Sequence, residues 1–151
     1  MRRAVAAIAD TLVTYRGPDG RELLDVPGGP LPEEDVPAPP RLLPMWDSVL
    51  LAYRDRSRII PPAYRGTVIR SNGDVLPTLL VGGSVVGVWR PLEGGIEATA
   101  FEPLDDDAWA GLEAEARSLV GFLATRDPRV YGRYARWWER IDGAEVRVLG
   151  R

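Results

Sequence analysis

Apolar residues at the start of the chain fall into two short runs with a turn sequence between them. Residues 12–15 and 21–26 are typical of strands, and the Gly-Pro-Asp-Gly sequence of residues 17–20 is typical of a tight turn. Residues 4–10 place alanines, Val5 and Ile8 on roughly one face of a helix. We therefore predict a short helix followed by a β-hairpin within residues 1–26.

Proline and glycine dominate residues 27–44, and their density excludes both helix and sheet interior. We predict an extended, semi-rigid linker over this range. Its carboxylates, Glu33, Glu34 and Asp35, are interpreted as solvated charges rather than as metal ligands. A larger domain is predicted to follow over residues 45–151.

The first half of the larger domain alternates apolar runs with glycine-containing turns. Asn72-Gly73 is typical of a type I′ hairpin, and further turns are expected at Gly82-Gly83 and Gly94-Gly95. Pro77 within a strand indicates a sheet edge or a bulge. These patterns predict a small antiparallel meander, closed into a barrel or a strongly curled sheet. The predicted strands are residues 46–53, 66–71, 74–81, 84–89 and 96–101.

Helices are predicted after the meander. Asp105-Asp106-Asp107 suits a helix N-terminus, and Mg²⁺ binding by these aspartates is the less favoured alternative. A second helix is predicted over residues 130–141 and a last strand over 144–149. Apolar residues at helical spacing after the aspartates are Trp109, Leu112, Ala116, Leu119, Val120 and Leu123. The predicted fold class is α+β, an antiparallel meander or barrel covered by C-terminal helices.

Arginines form two patterns that suit anions. Arg54, Arg56 and Arg58 are spaced two apart, so in an extended strand they share one face, opposite Asp55. The alternative is that Asp55 pairs with a neighbouring arginine and the cluster only caps a strand. The second pattern is a helical stripe beside aromatic residues, for which a solvated arginine face over a buried aromatic face is favoured over nucleic-acid contact. The stripe consists of Arg129, Arg133, Arg136 and Arg140, beside Tyr131, Tyr134, Trp137, Trp138 and Ile141.

The amino-acid composition limits which residue types could act in catalysis or bind ligands. The 151 residues include no His, Cys, Lys or Gln, which removes histidine and cysteine nucleophiles, the usual zinc ligands and phosphate-binding lysines. Only carboxylates, hydroxyls and arginines remain for catalysis, and no metal or cofactor is predicted. The formal net charge is −3, so any DNA contact needs a local basic patch. No apolar run approaches the length of a membrane span, and we predict a cytoplasmic protein.

Several blocks of the sequence together resemble a known family. They resemble, in order and spacing, the winged-helix DNA-binding family that includes bacterial DNA glycosylases acting on alkylated and crosslinked bases. The resemblance covers roughly residues 5–125. The blocks are the hairpin of residues 12–26, the run Asp35-Val36-Pro37-Ala38-Pro39-Pro40-Arg41-Leu42-Leu43-Pro44-Met45-Trp46-Asp47, the run Asp55-Arg56-Ser57-Arg58-Ile59-Ile60, Asn72-Gly73, the hairpin from Pro77 to Arg90, and a closing helix rich in Leu, Ala and Glu.

The resemblance implies that the chain corresponds to the C-terminal part of such a protein. Residues 1–26 would be a winged-helix remnant, its hairpin the wing. The family's catalytic motif contains glutamine, which this sequence lacks, so the resemblance implies a DNA-binding module without its own catalytic centre. The candidate contacts to the phosphates of duplex DNA, which would be weak, are Arg54, Arg56, Arg58, Arg70, Asn72 and Arg90.

Two other functions stay open. The first is an interaction domain that docks on a protein partner, which would cover residues 1–26 and supply the missing winged helices. The second, less favoured, is an enzyme that uses carboxylates alone, with Asp47, Asp55 and Asp74 as candidates.

Overall fold

The fold is known from a computed structural model, which describes residues 2–17, 19–33, 35–125, 132 and 134–151. This part of the chain divides into two compact units, Met1–Pro37 and Ala38–Arg151. Within the described ranges, no helix combines the length and the apolar character that a membrane crossing requires.

The first unit is a helix followed by a hairpin, as the sequence predicts. Helix α1 spans Arg2–Ala7, a single 3-10 turn follows at Ala9–Thr11, and strands β1 (Val13–Arg16) and β2 (Glu22–Asp25) pair antiparallel. The turn is closed by a hydrogen bond from the Gly17 N–H to the Arg21 carbonyl oxygen at 2.8 Å. Among the described residues of this unit, no apolar side chain is buried.

The second unit is built on an antiparallel sheet with strand order β3-β4-β5-β6-β7 among the described residues. The sheet has β3 and β7 as its edges, so of the two predicted forms, a barrel or a curled sheet, the barrel is not formed by the described residues. Each strand pairs antiparallel with its neighbour in sequence, as in the predicted meander. The first strand, however, lies at residues 41–43, within the predicted linker, where it forms a sheet edge and so tolerates the nearby prolines. The strands are β3 Arg41–Leu43, β4 Thr78–Val81, β5 Ser84–Leu92, β6 Gly95–Ala100 and β7 Glu145–Leu149.

Hairpin turns in the sheet follow the predicted glycines closely. Gly82 and Gly83 join β4 to β5 with φ of 56° and 80°, values that glycine adopts without steric cost. The next turn lies one residue earlier than predicted, because Leu92 pairs with Gly95. Pro77 precedes β4, which is an interior strand. The register irregularity falls between Leu79 and Leu80 rather than at the proline.

Helix α4 (Asp106–Leu123) confirms the predicted long helix and covers the sheet. The Asp105 carboxylate accepts a hydrogen bond from the Ala108 N–H at 2.7 Å, as expected of an N-cap. Trp109, Leu112 and Ala116 are buried on the face that the sequence predicts. They pack against sheet residues that include Leu79, Trp89 and Ile96, and this cluster forms the main core.

The strand predicted over residues 46–53 is wrong. Asp47 accepts a hydrogen bond from the Val49 N–H at 2.8 Å and starts a one-turn helix, α2 (Ser48–Leu51). Leu50 is fully buried in a second cluster with Ile60 and Val68. A short apolar run fits either a strand or a helix. Here the Asp47 cap and the burial of Leu50 select the helix.

The strand predicted over residues 66–71 is also wrong, since Arg65–Val68 forms the short helix α3. Only Ile69 and Val75 form an isolated antiparallel bridge here. The turn between them exists, and a hydrogen bond from the Arg70 N–H to the Asp74 carbonyl oxygen closes it around residues 71–73. Only Gly73 in this loop has positive φ, at 87°, so the turn is not type I′.

The C-terminal segment is partly outside the described residues. Of the helix predicted over residues 130–141, the described part contains the short helix α5 (Ala135–Trp138), whose Trp137 and Trp138 are buried. The favoured interpretation of these tryptophans as core is confirmed. Arg129, Tyr131 and Arg133 lie outside the described residues. Strand β7 confirms the predicted last strand.

Candidate functional site

An open pocket of about 300 Å³ lies between the Asn72-Gly73 turn and the segment around α5. Three arginines line it, one from the turn and two from the segment around α5, although these two elements are distant in the sequence. The pocket is lined by Arg70, Ser71, Asn72, Arg136, Trp137 and Arg140.

The wall at Asn72 is held by a compact hydrogen-bond network within the turn. The Arg70 N–H donates to the Asp74 carbonyl oxygen at 2.8 Å, and the Gly73 N–H donates to the Arg70 carbonyl oxygen at 3.0 Å. The Asn72 amide donates to the Asp74 carboxylate at 2.5 Å, while the Asp74 N–H donates back to Asn72 at 3.1 Å. The turn therefore holds the Asn72 side chain in place where it lines the pocket.

The opposite wall comes from α5 and the turn that follows it. Trp137 is buried and anchors this segment in a cluster with Met45, Leu76 and Val88. Arg136 and Arg140 flank the tryptophan and are exposed. The Arg140 backbone N–H donates to the Trp137 carbonyl oxygen at 3.2 Å, and the Arg136 Cζ lies 6.0 Å from the centroid of the Trp137 ring. Both arginines are therefore adjacent to a buried residue.

Arg70 links the two walls. Its Nη2 donates to the Trp137 carbonyl oxygen at 3.4 Å, and its Cζ lies 5.5 Å from the centroid of the Trp137 ring. The Arg70 Nε is buried and has no hydrogen-bond partner among the described atoms. Burial, and then the nearby charge of Arg140, lower the pKa of Arg70 below its ordinary value. A nearby anion acts in the opposite direction, because it stabilises the charged form of an arginine.

The pocket is rich in positive charge, and the described residues provide no ion-pair partner for it. Within the described part of the chain, no ion pair involves Arg70, Arg136 or Arg140. By contrast, Arg41, Arg117 and Arg147 each pair with a glutamate. Guanidinium groups present several N–H donors in a planar array that matches phosphate oxygens, so the arrangement suits a phosphate.

Aromatic rings continue from the pocket across the surface. Tyr134 lies against Trp137 with 4.4 Å between ring centroids, and Trp46 meets Tyr134 edge-on at 5.7 Å. Trp46 is 38% exposed and has φ of 56°, a left-handed conformation that is rare for a bulky residue. The pattern of residues 129–140 singled out Arg136, Trp137 and Arg140. Sequence analysis missed Trp46, because backbone conformation leaves no mark in the residue pattern.

The structure brings together only some of the predicted contact residues. Arg70 and Asn72 line the pocket, whereas the other four candidates do not. Arg90 lies opposite Glu97 in the sheet, with its Nε 2.7 Å and its Nη2 2.8 Å from the glutamate oxygens. Its guanidinium is therefore already occupied.

The shared face expected for Arg54, Arg56 and Arg58 rested on an extended strand that the structure does not contain. These arginines lie in turns after α2, where Arg54 and Arg58 are exposed and Arg56 is half-buried. Asp55 accepts hydrogen bonds from the N–H and hydroxyl of Ser57, at 3.1 and 2.7 Å, and so shapes the turn.

The carboxylates considered for catalysis have local roles in the structure. Asp47 caps α2, Asp55 holds its turn, and Asp74 holds Asn72. Asp105 caps α4. In the described ranges, no group of three or more acidic residues is arranged to hold a metal ion.

Comparison with known proteins gives a consistent result. A model of the family described as DNA glycosylase AlkZ-like matches residues 1–122. Among solved structures, the chain is similar to the Streptomyces sahachiroi DNA glycosylase AlkZ, with a TM-score of 0.64 and 24% identity. That match covers 79% of this chain and 33% of the AlkZ chain, so this chain spans about a third of AlkZ. No curated protein matches the sequence.

The matched region contains α1, both sheets' strands up to β6, and nearly all of α4. The matched region includes the pocket wall formed by Arg70 and Asn72. Arg136 and Arg140 lie after the last matched residue. The match extends over most of the chain and confirms the resemblance drawn from the residue blocks. This chain belongs to the AlkZ-like DNA glycosylase family.

Proposed function

We propose that this chain is a DNA-binding module that corresponds to the C-terminal part of a winged-helix DNA glycosylase and lacks a catalytic centre of its own. The observation that carries the proposal is the convergence of Arg70, Arg136 and Arg140 in one pocket, where none of them forms an ion pair with a carboxylate of the described residues. Family membership makes DNA the natural source of the phosphate. The absence of glutamine supports the non-catalytic part of the proposal.

The arrangement predicts the character of the binding. Arginine contacts to phosphates position a protein on DNA but carry no base information, so binding should tolerate any sequence. The three arginines attract DNA phosphates locally, whereas the rest of the chain, whose formal net charge is −3, repels them. Binding should therefore be weak and strongly dependent on salt.

The test is a titration of a fluorescently labelled duplex with the full chain, followed by anisotropy. Salt is set at about 50 mM and about 200 mM, a range over which phosphate contacts weaken measurably. The Arg136→Ala/Arg140→Ala variant removes two pocket cations. We expect about a tenfold loss of affinity at low salt and a salt slope reduced by about 2.

The matched control is Arg41→Ala/Arg117→Ala, which changes the net charge equally. Both arginines are more than half exposed, and each pairs with a glutamate of α4, at 3.7 and 2.8 Å. We expect this variant to bind DNA nearly as the original chain does. Equal losses in the two variants would assign binding to overall charge and reject the pocket. No binding at either salt concentration would reject DNA binding altogether.

A second function is favoured by the surface of the first unit, described by itself. Ile8, Leu23 and Leu24 are 49%, 43% and 50% exposed, and no apolar side chain among the described residues of the unit is buried. Apolar surface of this kind is typical of an interface. The alternative is therefore a docking domain, whose partner would cover residues 1–26.

Sedimentation velocity over about a hundredfold concentration range tests this alternative, because an uncovered interface promotes association. The Ile8→Ser/Leu23→Ser/Leu24→Ser variant removes the apolar surface. Self-association that this variant abolishes would support an interface. If the chain is a monomer at every concentration and Arg136→Ala/Arg140→Ala is defective in DNA binding, the docking alternative is rejected and DNA binding remains as the proposed function.

A further inference from the structure

Trp46 is held in a conformation that has an energetic cost. Left-handed backbone places the Cβ atom of an L-residue close to the following carbonyl oxygen, and only glycine avoids this contact. Among the described residues, Trp46 is the one non-glycine residue with positive φ. Backbone outliers of this kind persist where the surroundings enforce them, and they are concentrated at binding sites.

The surroundings do enforce the position of Trp46. Its N–H donates to the carbonyl oxygen of Val75 at 3.3 Å, and Val75 pairs with Ile69 in the bridge that precedes the Arg70 turn. Met45 before it is buried in the cluster of Trp137 and Trp138. Asp47 after it caps α2. The backbone is therefore fixed on both sides, while the indole is 38% exposed.

The exposed ring belongs to the same surface as the pocket. Tyr134 lies between them, in contact with Trp46 at 5.7 Å and with Trp137 at 4.4 Å between ring centroids. Trp137 in turn lies under the guanidinium groups of Arg70 and Arg136, at 5.5 and 6.0 Å from its centroid. An exposed aromatic ring thus stands beside a site that suits a phosphate.

We propose that Trp46 stacks on an unpaired DNA base while the arginine pocket holds a phosphate of the same strand. The proposal rests on the proposed DNA-binding function and adds a preference for single-stranded or locally unpaired DNA. Sites for unpaired nucleotides combine these same two elements, a positively charged groove for the backbone and aromatic rings for the bases. In a closed duplex the base faces are covered, so Trp46 would gain nothing there.

Three labelled DNAs distinguish base stacking by Trp46 from phosphate binding by the arginines. They are a single strand, a duplex with one bulged nucleotide, and the fully paired duplex of the same sequence. Trp46→Gly is the informative variant, since glycine accepts the left-handed backbone and only the ring is lost. We expect its affinity for the single strand and the bulged duplex to fall about tenfold. Its affinity for the paired duplex should stay within about twofold of the original, because phosphate contacts are unchanged.

Two further variants sharpen the result. Trp46→Phe keeps an aromatic face and should retain most of the binding to the single strand. Tyr53→Ala is the matched control, because Tyr53 is 66% exposed and also lies outside the pocket lining. It should bind all three DNAs as the original chain does. Circular dichroism establishes that each variant is folded.

Each failure has a distinct pattern. If Trp46→Gly binds the single strand and the bulged duplex as tightly as the original chain, the stacking proposal is rejected and DNA binding by the arginines stands. The same holds if Tyr53→Ala loses as much affinity as Trp46→Gly. If none of the three DNAs binds, the proposed function itself fails, and the stacking proposal fails with it.

Discussion

Arg70 and Trp137 lie 67 positions apart in the sequence, and Arg70 Nη2 donates a hydrogen bond to the Trp137 carbonyl oxygen at 3.4 Å. A carbonyl oxygen and a ring face hold the guanidinium in place, but they carry only partial negative charge. The contact therefore orients the cation without neutralising it. This leaves the charge of Arg70 available to an anion and exposed to repulsion from Arg140.

The repulsion predicts an unusual effect of Arg140→Ala. We expect the free energy of unfolding to stay constant or to rise by about 0.5 kcal/mol or less, because an exposed like-charge neighbour of Arg70 is removed. The same change should weaken DNA binding. Urea unfolding and anisotropy measure the two effects. Arg117→Ala, which breaks an ion pair with Glu113, is the control and should not gain stability.

Inorganic phosphate should stabilise the folded chain through the pocket. At ten times its dissociation constant, a ligand that binds only the folded state adds about 1.4 kcal/mol. Thermal melts in phosphate and in chloride, at equal ionic strength, should therefore differ for the original chain. The Arg136→Ala/Arg140→Ala variant should melt alike in both salts. A difference that persists in this variant would place the anion elsewhere.

Substitutions at Trp46 should reveal the cost of its backbone conformation. We expect Trp46→Gly to be about 1 kcal/mol more stable than Trp46→Ala, because alanine keeps the left-handed strain and glycine removes it. At Tyr53, where φ is not positive, alanine should be the more stable of the two replacements. Urea unfolding of the four variants checks both orders. The same order at both sites would contradict the conformation of Trp46.

Two glycines should respond in opposite ways to alanine. A Cβ at Gly87 would lie 2.3 Å from the Thr99 carbonyl oxygen and 3.0 Å from the Ala100 Cα, both of them backbone atoms of the adjacent strand. Gly87→Ala should therefore lower the free energy of unfolding by about 2 kcal/mol or more. Gly121 lies in α4 with nothing within 4 Å, so Gly121→Ala should raise it by about 0.5 kcal/mol.

Glu145 should contribute to the acid sensitivity of the fold. Its carboxylate accepts a hydrogen bond from the Trp109 indole at 2.9 Å and one from Arg147 at 2.7 Å, and these lower the pKa of Glu145 below the ordinary value of 4.5. A lowered pKa means stability that is present above pH 4.5 and is lost as pH falls through the folded-state value.

The variant Glu145→Gln tests this directly. Its stability should depend less on pH below pH 4.5 than that of the original chain, because the group no longer titrates. Glu93→Gln, at the exposed turn between β5 and β6, removes the same charge and serves as the control. Urea unfolding across this range gives the comparison. Equal slopes for Glu145→Gln and the original chain would contradict the role of Glu145.

The sequence by itself determined the features that depend on neighbouring residues. Asp105 and the apolar spacing of Trp109, Leu112 and Ala116 predicted α4 and its buried face. Gly82-Gly83 predicted a hairpin turn, because only glycine accepts two consecutive residues of positive φ without strain. The residue blocks also predicted the family. The helix cap and the glycine turn act within a few residues, and the packing of the chain agrees with them.

Tertiary structure decided the rest. The apolar run at residues 48–51 suits a strand or a helix, and burial of Leu50 with Ile60 and Val68 selects the helix. Because this segment is a helix and not a strand, Arg54, Arg56 and Arg58 do not lie on one face of an extended strand. Arg70 meets Arg136 and Arg140 only because the Asn72-Gly73 turn packs beside α5. Local spacing carries no information about such a meeting, because it depends on how the whole unit buries its core.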